Sequence, residues 1–179
     1  ERIESYAPPW PLPKIFRLTK GGKLNEGIFV GETINTPSML CVEDVLDALS
    51  WADSVGGLDA LVSRNQENFS VISEWVAATG WTGFLAASPG LRSSTSVCLS
   101  FSEPWFGGLS KDEQAALPKK MATLLADEKV AYDIASYRDA PPGLRIWAGA
   151  TVDRDDLSAL MPWLDWAYAE VKSAMSVTS

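Results

Sequence analysis

The chain has 179 residues, 46% of them hydrophobic and 21% charged, with a formal net charge of −8. These proportions fit a soluble globular chain and not a disordered or membrane one. The acidic balance repels phosphate backbones and anionic lipid surfaces, so neither nucleic acid nor a membrane is an expected partner.

Single residue types narrow the chemistry further. The chain has no histidine, which removes histidine-based triads and most zinc sites, so no metal site is expected. Cys41 and Cys98 lie in apolar stretches without CxxC spacing, the pattern of a reduced, cytoplasmic protein. No apolar run approaches the roughly 20 residues of a membrane span. No basic stretch leads into an apolar one as in a signal peptide. Glu1–Tyr6 reads as the middle of a helix, which implies sequence upstream of Glu1.

In chain order, the prolines of residues 7–13 force extended geometry. Ile15, Phe16 and Leu18 are expected to continue as a short strand. Lys20-Gly21-Gly22-Lys23 is a turn, and Gly27–Val30 a second extended piece. A helix then starts, with Thr36 as its N-cap and Pro37 as its first residue. Met39, Val42, Val45, Leu46 and Leu49 form its apolar stripe, and Gly56-Gly57 ends it. A longer helix covers about 58–78 and stops at Gly80. Strands are expected near 84–86, over 96–101, 131–135 and 144–148. Ser110-Lys-Asp-Glu113 is a capping box, and Pro118 should split the helix that follows, restarting it over 118–128. Asp153 caps a last helix over about 154–175, bent at Pro162. These elements predict an α/β or α+β architecture, a small mixed sheet covered by helices. A domain boundary is expected near residue 57, giving segments 1–57 and 58–179.

Three groups could hold an anion. Asn35 and Thr36 precede a helix N-terminus, whose free N–H groups and dipole attract phosphate; a plain capping role for Thr36 is the commoner use of that pattern. Arg145 stands mid-strand among apolar residues, where its charge needs a partner. A carboxylate fits the guanidinium fork, supplied either by a ligand or by a neighbouring acid. Arg138, a few residues earlier, could meet the same ligand or point to solvent. Lys20-Gly-Gly-Lys23 lacks the ending of a P-loop, and Asp155-Asp156 fits the first turn of a helix.

Taken in order, Pro11–Lys23, Asn35-Thr-Pro-Ser38, Arg92–Cys98 and Ser136–Arg145 resemble the C-terminal half of phosphoserine aminotransferases, over essentially the whole chain. That resemblance implies the final part of a large pyridoxal-phosphate domain followed by a small substrate-closing domain. It also implies a homodimer and amino transfer between glutamate and 3-phosphohydroxypyruvate, a step of serine biosynthesis. By resemblance, Asn35 and Thr36 reach the cofactor phosphate of the partner subunit and Arg145 takes the substrate α-carboxylate. Arg138 matches the arginine of a His-Arg pair that holds the substrate phosphate in many members. Here that pair reads Tyr137-Arg138, and its spacing to Arg145 differs. The family's cofactor lysine lies in a segment that has no counterpart in this chain. The chain by itself is therefore expected not to transaminate, although the full-length protein would.

Two other readings compete. One is a sister aminotransferase of the alanine–glyoxylate type or a cysteine desulfurase. The desulfurase needs a reactive cysteine on a mobile loop, whereas Cys41 falls at a helix start and Cys98 in a strand. The other is a dimerisation or binding module without chemistry.

Overall fold

The computed structural model describes residues 10, 11 and 13–177. The expected helical character of Glu1–Tyr6 and most of the proline run over 7–13 lie outside the described residues. The chain divides into two compact units, Glu1–Trp51 and Ala52–Ser179.

In the first unit, β1 (Thr19–Lys20) and β2 (Lys23–Leu24) form a small antiparallel hairpin, with Lys20 opposite Lys23. Gly21 and Gly22 have φ of 62° and 78°. Two left-handed residues in a row match a two-residue turn to the strand twist. The expected strand at 15–18 is instead a 3₁₀ turn over Lys14–Phe16, because the Phe16 N–H folds back onto the Pro13 carbonyl at 3.0 Å. Gly27–Val30 is not extended either. It belongs to a second 3₁₀ turn, Glu26–Val30, closed by Gly31 at φ 94°. A short apolar run carries no period that separates strand from turn.

Helix α1 is Met39–Ser54. It starts later than expected, because its first backbone bond runs from Val42 N–H to the Ser38 carbonyl at 3.1 Å. Thr36 therefore stands outside the helix rather than capping it. The apolar stripe of α1 is exposed along its length, and no residue of the helix is buried.

The second unit carries the core. Gly56 and Gly57 have φ of 109° and 71°, which lets the chain turn directly into α2, Gly57–Ala78. Strands β3 (Thr82–Phe84), β4 (Ser96–Phe101) and β5 (Gly143–Trp147) form a sheet in that order. Among the described residues both sheets are antiparallel throughout, so the helix-covered small sheet is present but its mixed character is not. Between β4 and β5 lie a short helix, α3 (Pro104–Gly107), and the longer α4 (Lys111–Asp127). They return the chain to the end where β4 finished, placing Gly143 opposite Ser100.

Helix α4 opens on the expected capping box: the Glu113 N–H donates to Ser110 Oγ at 3.3 Å, and the Ser110 N–H to Glu113 Oε2 at 2.8 Å. Pro118 does not split it. An interior proline costs about 3 kcal/mol. Full burial of Leu117, Met121 and Leu125 contributes about 1.5–3 kcal/mol each and outweighs that. The last helix, α5, runs unbroken over Arg154–Val177 through Pro162.

Val97, Leu99, Leu144 and Ile146 alternate onto the covered face of the sheet and join one apolar cluster with residues of α2, α4 and α5. The opposite face carries Ser96, Cys98, Arg145 and Trp147, with Cys98 and Trp147 exposed. The expected strand at 131–135 reduces to one bridge, Ala135 to Leu144. The segment still follows β5, since the Arg145 N–H donates to the Ile134 carbonyl at 2.8 Å.

Candidate functional site

Strand alternation places Arg145 on the open face of the sheet, directly opposite Cys98 of β4. Its side chain is nonetheless 13% exposed, because the 131–141 segment folds over it. The Tyr137 ring lies 4.5 Å from the guanidinium carbon, a cation–π contact. Nη2 donates to the Asp133 carboxylate at 2.7 Å and to the Asp133 carbonyl at 3.2 Å. Nε is buried and has no hydrogen-bond partner. Half of the guanidinium fork is thus engaged by an internal acid, and the other half is unsatisfied.

Asp133 is an unusual partner for a half-buried cation. It stands at φ 53°, a left-handed conformation that aspartate tolerates better than most residues. Its side chain is 88% exposed, and exposed ion pairs contribute only about 0–1 kcal/mol. Arg138 is exposed in the same loop and does not join the pair. Position and motif brought out Arg145, Arg138 and Tyr137. Asp133 carried no local signal, since only the fold of 131–135 along β5 brings it to Arg145.

Two cavities adjoin this corner. One of about 30 Å³ is lined by Cys98, Ser136, Tyr137, Leu144 and Arg145 among others. A larger one of about 260 Å³ shares Leu85 and Cys98 with it and adds Arg92. Arg92 is held by the Ala86 and Ala87 carbonyls at 3.2 and 3.3 Å, with its guanidinium 4.1 Å over the Phe84 ring.

In the first unit, Asn35 and Thr36 are both exposed in the turn ahead of α1. No acidic residue occupies the first turn of that helix. Two short polar side chains at the positive end of a sixteen-residue helix are suitable donors for a phosphate.

A cofactor aldehyde would need a free amine. Lys20, Lys23, Lys111, Lys119, Lys120 and Lys129 are exposed. Lys172 is ion-paired with Glu103 at 2.5 Å. Both cysteines are free and exposed. Among the described residues no cluster of His, Cys, Asp and Glu could hold a metal ion, and no helix is long and apolar enough to cross a membrane.

No family model matches the chain. It is 55% identical over 172 residues to phosphoserine aminotransferases of Methanosarcina mazei and Methanosarcina barkeri, which is 96% of this chain and 44% of each of those proteins. A putative phosphoserine aminotransferase of a Mycobacterium species is 30% identical over 142 residues. The chain thus spans less than half the length of the curated relatives it matches. Among solved structures, phosphoserine aminotransferase from Bacillus circulans subsp. alkalophilus superposes with a TM-score of 0.62 at 18% identity, covering 76% of this chain and 34% of that one. That likeness concerns the fold.

Proposed function

We propose that this chain, which is related over nearly its whole length to the C-terminal part of phosphoserine aminotransferases, forms the substrate-carboxylate and cofactor-phosphate end of such an enzyme. The observation that carries the reading is the 55% identity over 172 residues. Supporting it is a strand-borne arginine with one half of its fork unsatisfied. The reaction is amino transfer between glutamate and 3-phosphohydroxypyruvate, in serine biosynthesis and in the cytoplasm. Segment 1–57 is the end of the large cofactor domain and 58–179 the small domain that closes on substrate.

Pyridoxal phosphate, when bound, supplies the electron sink for moving the amino group. The residues of this chain bind and orient. Asn35 and Thr36, with the N-terminus of α1, hold the cofactor phosphate of the partner subunit in a homodimer. Arg145 holds the α-carboxylate of both substrates in turn, since glutamate and the phosphorylated keto acid share that group. Arg138 reaches the substrate phosphate. No lysine of this chain takes the cofactor, so the 179 residues alone do not transaminate. The relatives named for this activity favour it over an alanine–glyoxylate reading or a module without chemistry.

The test is to co-produce the chain with the part of the Methanosarcina mazei relative that it does not match. The complex should take up pyridoxal phosphate and aminate 3-phosphohydroxypyruvate in preference to glyoxylate. Arg145→Ala should lower kcat/KM by roughly 10- to 100-fold, the worth of a charge-assisted hydrogen bond to a substrate carboxylate. Equal rates with glyoxylate, or an unchanged kcat/KM in the variant, would overturn the assignment.

A further inference from the structure

The Asp133–Arg145 pair is a poor structural salt bridge but a good temporary one. The guanidinium is deeply placed, while its counter-ion is almost fully exposed. Asp133 reaches it from a left-handed backbone position and takes the Nη2 edge, and Nε beside that edge is buried without a partner. A ligand carboxylate binds an arginine most strongly with both oxygens on two parallel N–H groups. On the Nε–Nη2 edge that geometry requires the Asp133 carboxylate to leave.

We propose that Asp133 is a displaceable counter-ion of Arg145. It covers the charge while no ligand is bound and yields Nη2 to an incoming carboxylate. This rests on Arg145 being a carboxylate site, as read above. Binding then exchanges one ion pair for another, so Asp133 lowers the apparent affinity. It also rejects anions that contact only one N–H, because these offer no more than Asp133 already supplies. With its carboxylate 88% exposed to solvent, Asp133 contributes at the scale of a solvent-screened pair, about 0.2–1 kcal/mol, which converts to roughly a 1.5- to fivefold tightening of carboxylate binding when Asp133 is neutralised.

The experiment is ¹⁵N NMR of the whole 179-residue chain, following the Arg145 Nε–H signal during titration with glutarate. The proteins compared are wild type, Asp133→Asn and Asp133→Gly, with Arg145→Ala assigning the signal. Asparagine and glycine both accept a left-handed backbone, so either variant keeps the loop, and a superposable amide spectrum checks this. The expected result is saturable movement of Arg145 Nε–H in wild type, with a Kd lower by about 1.5- to fivefold in both variants. The same Kd in wild type and variants would overturn the counter-ion role and leave Arg145 as the carboxylate site. An Nε–H signal that glutarate does not move in any protein would overturn the carboxylate site itself, and the counter-ion role with it.

Discussion

Asn68 of α2 and Val152, 84 residues further on, are joined by a 2.8 Å hydrogen bond from the Asn68 side-chain nitrogen to the Val152 carbonyl. The same nitrogen donates to the Ala148 and Gly149 carbonyls at 3.3 and 3.2 Å. Asn68 is 1% exposed, so one amide closes the turn that leads from β5 into α5. Asn65, one helical turn earlier, ties the Ala148 and Ser94 carbonyls together at 3.0 and 2.8 Å and accepts from the Ser94 hydroxyl at 2.7 Å.

Removal of the Asn68 amide takes this donor from the Gly149 and Val152 carbonyls, at about 1–3 kcal/mol each, while the Ala148 carbonyl keeps its bond from Asn65. Asn68→Ala is expected to destabilise the chain by roughly 2–4 kcal/mol in urea unfolding. Asn68→Asp should cost more, since an ionised carboxylate has no donor to offer three carbonyls. Stability equal to wild type in the Asn68→Asp variant would show that these bonds are not made.

Acid should weaken a second junction. Glu103, ahead of α3, accepts from Lys172 Nζ at 2.5 Å and from the Tyr168 hydroxyl, both on α5. The Lys172 hydrogen bond, and then that of Tyr168, hold the Glu103 carboxyl below its ordinary value of 4.5. A carboxyl depressed in the folded state stabilises the fold above its unfolded pKa, and that contribution is lost as pH falls through the folded one. The wild-type thermal midpoint should therefore drop more steeply below about pH 4.5 than that of Glu103→Gln. Parallel pH profiles for the two proteins would refute this. The tyrosine moves the other way: burial first, and then Glu103, push the Tyr168 hydroxyl pKa up.

The third prediction concerns Gly143, the first residue of β5. A Cβ built there would stand 2.1 Å from the Leu99 carbonyl oxygen, a backbone atom in the paired strand that cannot move alone. Gly143→Ala should spread the β4–β5 ladder and cost about 1–3 kcal/mol or more. Because Arg145 is two residues along the same strand, hydrogen exchange of the Arg145 amide should accelerate with it. Normal stability together with unchanged exchange would contradict the contact.

Much of the second unit was legible in local pattern. The β4 span, the capping box at Ser110 and the long helices α2 and α5 all follow from spacing and cap chemistry, which act within a few residues. Arg145 stood out for the same reason, as a lone cation in an apolar alternation. Short segments were misread where one backbone hydrogen bond decided the outcome. The turn at Lys14–Phe16 and the late start of α1 at Met39 are of this kind. The uninterrupted α4 is another case, because burial of Leu117, Met121 and Leu125 overrode Pro118.

Sequence by itself therefore determined the long helices, the β4 span and the relationship to phosphoserine aminotransferases, and it singled out Arg145 as a cation in an apolar strand. Tertiary structure alone decided what those residues meet. Asp133 touches Arg145 and Asn68 closes the turn at Val152, because the chain brings together groups 12 and 84 residues apart. Local spacing encodes the face a side chain presents, whereas its partner depends on how the chain returns along β5 and α5.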